Sequence, residues 1–262
     1  MEKSLKKIIV MSDIHLISGE EKLVPLDSVA KLETALSHAA QKHPDTAHLV
    51  FSGDLANNGK VEEYQCLKKT ISQVGIPITF MMGNHDDRAN FCKEFPDFIL
   101  DENGYVQSSI NVGECRLLFL DSLKQPYSDI EKNKGFLCER RLNWLDDQLR
   151  LASEKKIILF VHHPPFPTGL KAMDAIRLEN PDDLYSILEK NKNILHIVSG
   201  HIHRNISGNY RGIGFSTFKS TNLQMSLNLK SEKVEFNPNE KSGYGVICIR
   251  EDGLFIHNEE FD

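Results

Sequence analysis

At 262 residues, with 40% hydrophobic and 26% charged residues, the chain has the size and composition of one large globular domain with a substantial core. Its formal net charge of −6 argues against a basic face for polymeric nucleic acid, and its apolar runs are too short to span a membrane. The five cysteines (Cys66, Cys92, Cys115, Cys138, Cys248) are scattered with no C-x-x-C pair, and MEKSLKKIIVMSDIHL lacks a signal-peptide apolar region, so reduced thiols and a cytoplasmic location are expected.

In chain order, KKIIVMS (6–12) is β-rich, and LDSVAKLETALSHAAQK (26–42) has helical spacing behind Asp27 or Ser28 as N-cap. AHLVFSG (47–53) reads as a strand, VEEYQCLKKTISQV (61–74) as a helix, and IPITFMMG (76–83) as a strand. Asp86 and Asp87 are placed to cap a helix in RANFCKEF. Tyr105–Ile110 and Arg116–Leu120 suggest an antiparallel pair turning at Asn111–Glu114. CERRLNWLDDQLRLASE (138–154) is an amphipathic helix whose Leu142, Trp144, Leu145 and Leu149 face a core. KKIILFV (155–161) and ILHIVSG (194–200) are further strands, with a helix near Asp182–Lys190 between them. From Tyr210 the chain is strand-rich, through GIGFSTF, NLQMSLNL, KVEFN, YGVICIR and LFIHN. Alternating strands and helices imply parallel pairing with helices on the faces, and the strand-rich tail implies a second sheet stacked on the first. The expected fold is therefore an α/β four-layer α/β/β/α sandwich with two stacked mixed sheets. It forms one domain over 1–262 with a β-rich C-terminal part from about 210.

Five of these strands end in metal-capable side chains. KKIIVMS runs into Asp13 and His15, AHLVFSG into Asp54, IPITFMMG into Asn84 and His85, KKIILFV into His162, and ILHIVSG into His201 and His203. Strand C-termini of a parallel sheet share one edge, where α/β proteins gather their sites. Gly53, Gly83 and Gly200 precede polar residues and permit sharp turns off the strands. The spacing by two in Asp13/His15 and His201/His203 puts each pair on one side of an extended backbone. Four histidines, two aspartates and an asparagine oxygen make a mixed N/O set suited to Mn, Fe, Co, Ni or Zn. Seven ligands suit two ions sharing a carboxylate, with Asp54 as the bridge and SGHIHR giving one histidine to each ion.

The blocks DIH, GD, GNHD, HHPP and GHIH, in this order, resemble the calcineurin-like metallophosphoesterases. GDLANNGKVEEY, LDS, GFLCERRLNWLDDQL, GLKAMDAIRLENPDDL, GIGFSTFKSTNLQM and SGYGVICIREDG resemble its bacterial branch of class III cyclic-nucleotide phosphodiesterases and glycerophosphodiesterases. The resemblance implies Asp13, His15, Asp54 and His203 around one metal, and Asp54, Asn84, His162 and His201 around the other. His162 is the ligand because the family's histidine stands two before a proline, here Pro164, which leaves His163 to pack or shape the pocket. Asn57 and Asn58 stand where some members carry an aspartate and an arginine. That leaves open which group orients His85, and removes a clamp suited to a doubly charged monoester.

The expected activity is therefore hydrolysis of a small phosphodiester by attack of a hydroxide bridging two divalent or mixed-valence transition-metal ions (Mn, Fe, Zn or Co). His85 would assist the leaving oxygen, and Asn84 would both ligate and hold the turn that aims His85. A cyclic nucleotide of the 3′,5′-cAMP type leads and a glycerophosphodiester follows. Residues 163–180 would line the substrate pocket, and Arg204 and Lys171 are candidates for an anionic tail. A nuclease is disfavoured by the acidic balance, and a serine hydrolase by the lack of a G-x-S-x-G elbow. A non-catalytic protein-binding scaffold of the same fold is the reading of another class. No membrane partner is expected, and the β-rich tail offers an edge through which a homo-oligomer could form.

Overall fold

Along β1 (Lys6–Met11), Ile8 and Val10 point to one side and Ile9 and Met11 to the other, and all four are buried. A strand apolar at consecutive positions, as β1 is from Ile8 to Met11, is covered on both faces there. The computed structural model describes residues 5–19, 27–126, 128 and 131–262. It pairs β1 in parallel with β2 (Thr46–Phe51), which in turn pairs in parallel with β3 (Ile78–Phe80). On its other flank β1 pairs antiparallel with β12 (Ser242–Arg250), which pairs with β13 (Gly253–Phe261). The C-terminal strands thus complete the first sheet, in the order β13-β12-β1-β2-β3.

The second sheet runs β4-β5-β6-β7-β9-β8. Its centre is parallel: β5 (Cys115–Leu120), β6 (Lys156–Val161), β7 (Ile194–Ser199) and β9 (Ile213–Thr217). The edges β4 (Ser108–Val112) and β8 (Ile206–Tyr210) are antiparallel. A two-stranded ribbon, β10 (Gln224–Met225) with β11 (Phe236–Asn237), stands apart from both sheets.

Three layers of apolar packing give the four-layer α/β/β/α sandwich. Ile8, Val10, Val50 and Met81 of the first sheet meet Leu117, Phe119, Ile158 and Phe160 of the second. Helices α1 (Ser28–Lys42), α2 (Val61–Thr70) and α3 (Arg88–Glu94) cover the outer face of the first sheet through Leu32, Leu67 and Phe91. Helices α4 (Glu139–Leu151) and α6 (Pro181–Leu188) cover the second through Leu145, Leu149, Leu184 and Leu188. Trp144 is a partly buried member of that layer. The short α5 (Lys171–Asp174) lies between β6 and α6 in the chain.

Several boundaries differ from the sequence expectation. The hairpin between β4 and β5 turns at Gly113–Glu114, because Val112 already pairs with Cys115. Only Gln224–Met225 of NLQMSLNL and Phe236–Asn237 of KVEFN are strand, and β8 carries no apolar alternation to betray it. Asp27 caps α1, accepting from Val29 N and Ala30 N; Leu26 lies outside the described residues. Among the described residues, no helix is long and apolar enough to cross a membrane.

Candidate metal centre and active-site cleft

The C-terminal ends of β1, β2 and β3 in one sheet and of β6 and β7 in the other open onto one cleft, where the polar residues that follow them converge. Asp13 and His15 lie beyond β1, Asp54 beyond β2, Asn84 and His85 beyond β3, His162 just past β6, and His201 and His203 beyond β7. The loop after β1 continues to pair with the loop after β2: Asp13 N, His15 N and Leu16 N donate to the carbonyls of Gly53, Asp54 and Leu55.

The pairs spaced by two are not on extended backbone as expected. Asp13, His15, Asp54, His201 and His203 all have positive φ, between 42° and 70°. Left-handed backbone at a non-glycine residue costs roughly 1–2 kcal/mol and persists only where its surroundings enforce it. Here it swings each side chain off its strand end into the cleft. Gly53 also has positive φ, whereas Gly83 serves by close approach: a Cβ there would lie 2.2 Å from Asp54 Oδ1 and 2.6 Å from His162 Nε2.

Asp13, His15, Asp54 and His203 bring four ligand atoms within 4.8 Å of one another, and all four residues are buried. His203 Nδ1 donates to the Leu223 carbonyl at 2.7 Å, so its Nε2 presents a lone pair, and that atom faces His15 Nε2 at 3.1 Å. Asp13 is fixed by Ser12 Oγ and by His201 N, which donates to it at 2.9 Å. Asp54 Oδ2 stands 3.5 Å from His15 Nε2 and 3.5 Å from His162 Nε2, at the junction of the two halves. In the second half, His162 Nδ1 donates to the Ser52 carbonyl at 2.8 Å, aiming Nε2 inward. His162 Nε2, His201 Nε2 and Asn84 Oδ1 are buried without a hydrogen-bond partner.

The electrostatics point the same way. Burial pushes His201 down to about 3, with His162 adding to the effect, and holds His15 well below its usual value. Burial also opposes charge on His162, but the Asp54 carboxylate beside it raises it to about 9. Asp54 is held well below the carboxylate range by His162 and His85 despite its burial. The two thus form an ion pair with no net charge. Orphaned nitrogens and an amide oxygen, two histidine nitrogens 3.1 Å apart, and a buried carboxylate among them form a donor set that fits divalent metal ions.

His85 is oriented by a main-chain group. Its Nδ1 donates to the Asn57 carbonyl at 2.7 Å, and its backbone N–H donates to Asp54 Oδ1 at 2.8 Å. Asp86 does not cap α3, as the sequence suggested; Asp87 does, accepting from Asn90 N. Asp86 is buried, and its carboxylate accepts from Leu55 N, Ala56 N, Gly83 N and the Tyr64 hydroxyl, tying the Asp54 loop to the Asn84 turn. Burial, followed by the nearby Asp54 charge, pushes Asp86 up to about 7. His163 packs against Gly135 and meets the Ser122 hydroxyl through Nδ1 at 2.8 Å; one of its ring nitrogens also lies within 4.8 Å of the His162 and His201 ligand atoms.

A cavity of about 290 Å³ opens over these groups. Of residues 163–180, only Met173 and Ile176 line it. The rest of its outer wall, missed by sequence reasoning, comes from Asn133, Asn222 and Leu223, from Met225 and Phe236 of the ribbon, and from Val234 just before it. Arg204 and Lys171 do not serve as expected: Arg204 donates to the Met225 carbonyl and pairs with Glu240, and Lys171 pairs with Glu232. Among the described residues, no lysine or arginine lines the cavity.

The calcineurin-like phosphoesterase family matches residues 6–205. A protein of Rhodopseudomonas palustris named a probable cyclic nucleotide phosphodiesterase is 34% identical over 97% of this chain and 92% of its own. One of Arcobacter nitrofigilis, named a probable glycerophosphodiester phosphodiesterase GpdQ, is 31% identical over 95% and 91%. The crystal structure of a dimetal phosphatase from Danio rerio shares the fold, with a TM-score of 0.72 over 98% of both chains at 15% identity. With the family's pattern spanning most of its length and close relatives covered almost end to end, the chain belongs to the calcineurin-like phosphoesterases.

Proposed function

We propose that the protein is a dinuclear metal-dependent phosphodiesterase acting on a small diester, a 3′,5′-cyclic nucleotide first and a glycerophosphodiester second. The observation that carries the reading is Asp54 Oδ2, 3.5 Å from a histidine nitrogen of each half of the donor set. On this reading Asp13, His15, Asp54 and His203 hold one ion, and Asp54, Asn84, His162 and His201 hold the other; Mn, Fe, Zn or Co suits such a set. Bound cations would supply a nucleophilic hydroxide near neutral pH and neutralise phosphate charge. His85, with Nδ1–H held by the Asn57 carbonyl, leaves Nε2 facing the cleft, from which the doubly protonated ring would give its Nε2 proton to the leaving oxygen and become neutral. Asp54 Oδ1 accepts from the His85 backbone and so fixes the turn that presents it.

The absence of lysine and arginine from the described lining favours a singly charged diester over a doubly charged monoester, and gives no track for polymeric nucleic acid. The names of the two relatives support the two substrate classes. Insertion of β12 beside β1 supports residues 1–262 acting as one domain, the free thiols at all five cysteines suit the cytoplasm, and the edge strand β13 offers a surface for a homo-oligomer. The complete donor set argues against a non-catalytic scaffold.

The test is turnover by metal-stripped protein with Mn²⁺ restored, on bis(p-nitrophenyl) phosphate, p-nitrophenyl phosphate and 3′,5′-cyclic AMP. Metal-dependent hydrolysis of the diesters, slower hydrolysis of the monoester and loss of activity in Asn84→Ala are expected. No turnover with any metal by folded protein would overturn the enzyme reading in favour of the scaffold.

A further inference from the structure

The cavity has two unlike ends. One holds the buried histidines and Asp54; the other is an apolar wall built from Met173, Ile176, Met225, Val234 and Phe236. Phe236 is 45% exposed and Val234 43%, so neither serves a sealed core. The Phe236 ring is set by the pairing of Met225 with Phe236 in the β10–β11 ribbon, and it stands 5.5 Å from the His203 ring, tilted by 55°. An exposed aromatic face beside a catalytic cavity asks for a flat partner.

Asn222 lies on the same wall. It is 3% exposed, and neither its Nδ2 nor its Oδ1 has a hydrogen-bond partner in the chain. The next residue, Leu223, holds His203 through its carbonyl, so the carboxamide is tied by backbone to the donor set. A buried amide with both ends unpaired is costly unless a ligand supplies a donor and an acceptor together.

We propose that Phe236 and Asn222 form a nucleobase subsite, with the base stacked on Phe236 and its edge read by Asn222. The inference rests on the phosphodiesterase reading above and adds the group that selects the substrate. A carboxamide pairs with adjacent amino-donor and ring-acceptor atoms, as on adenine, whereas guanine offers two acceptors on the corresponding edge. A quaternary ammonium headgroup is a poorer fit, since it favours a cage of several aromatics. Among the described residues, Phe236 is the sole phenylalanine, tyrosine or tryptophan on the cavity wall, and Asp54 the sole carboxylate.

The experiment is titration calorimetry on metal-loaded protein with adenosine 5′-monophosphate, guanosine 5′-monophosphate, ribose 5-phosphate and glycerophosphocholine. The wild type should bind adenosine 5′-monophosphate about 5- to 150-fold more tightly than ribose 5-phosphate, the range of one base–aromatic stack. Phe236→Ala should bring that ratio toward one, and its exposed site keeps the variant folded. Asn222→Ala should level adenosine and guanosine monophosphates. Equal affinities in the wild type, a ratio that survives Phe236→Ala, an adenine preference that survives Asn222→Ala, or tighter binding of glycerophosphocholine would each overturn the assignment. Turnover of methyl p-nitrophenyl phosphate by the same wild-type sample separates the two readings. No turnover with the base preference intact would defeat the phosphodiesterase reading and leave the subsite standing.

Discussion

The two ends of the cleft are built on opposite principles. The metal-facing end is buried and constrained: five of its residues sit in left-handed backbone, Gly83 admits no Cβ, and Asp86 ties two of its loops together. The outer wall hangs on a ribbon of two-residue strands and presents half-exposed Val234 and Phe236. Chemistry needs donor atoms fixed to within a fraction of an ångström, so it is placed where the sandwich enforces strain. Selection among leaving groups tolerates a looser, more exposed surface, which can change without disturbing the donor set.

Chelation should break this contrast most completely. Removing metal with EDTA should abolish diester turnover, and restoring Mn²⁺ should recover it, as followed by a chromogenic assay. Next in size, His85→Ala should lower kcat by about 10²- to 10⁴-fold while metal content, read by mass spectrometry, stays at the wild-type level. A variant that also lost its metal would show His85 to be part of the donor set itself. Gly83→Ala should cost roughly 10- to 100-fold in metal affinity, because the new Cβ displaces Asp54 and His162 together. Competition with a metal-binding dye would measure that loss.

Smaller effects sharpen the comparison away from the donor set. His196, in mid-strand β7, meets the Ser216 hydroxyl at 2.9 Å, and burial lowers it to about 4. It stays neutral in the fold while the unfolded chain takes up a proton below about pH 6.5, so its contribution is present above that pH and is lost toward pH 4. Stability should fall by on the order of 1–2 kcal/mol between pH 7 and pH 5 from this residue, and His196→Gln should flatten that slope in denaturant titrations. Phe236→Ala should change stability least, by under about 0.5 kcal/mol in the same titration, as befits a half-exposed ribbon residue.

Much of the fold was legible because strands covered on both faces read as unbroken apolar runs, such as IIVM, LVF and IILFV. The polar residues closing those runs mark one edge of the molecule from the sequence, and the fold brings Asp13, His15, Asp54, Asn84, His162, His201 and His203 to that edge. Less regular pieces escaped. β8 has no alternation, the strand expected over 76–83 shortens to Ile78–Phe80, and Asp86 resembles an ordinary N-cap until its carboxylate is found accepting from Leu55, Ala56 and Gly83.

The sequence by itself determined which side chains were available and at which strand ends they stood, since periodicity and residue type are short-range properties of the chain. Tertiary structure alone decided how they were aimed. The left-handed turns at Asp13, His15, Asp54, His201 and His203, the carbonyls of Asn57, Ser52 and Leu223 that orient three histidines, and the Met225–Phe236 pairing that forms the outer wall all depend on main-chain atoms. Every residue carries those atoms alike, so their roles become visible only when distant segments meet.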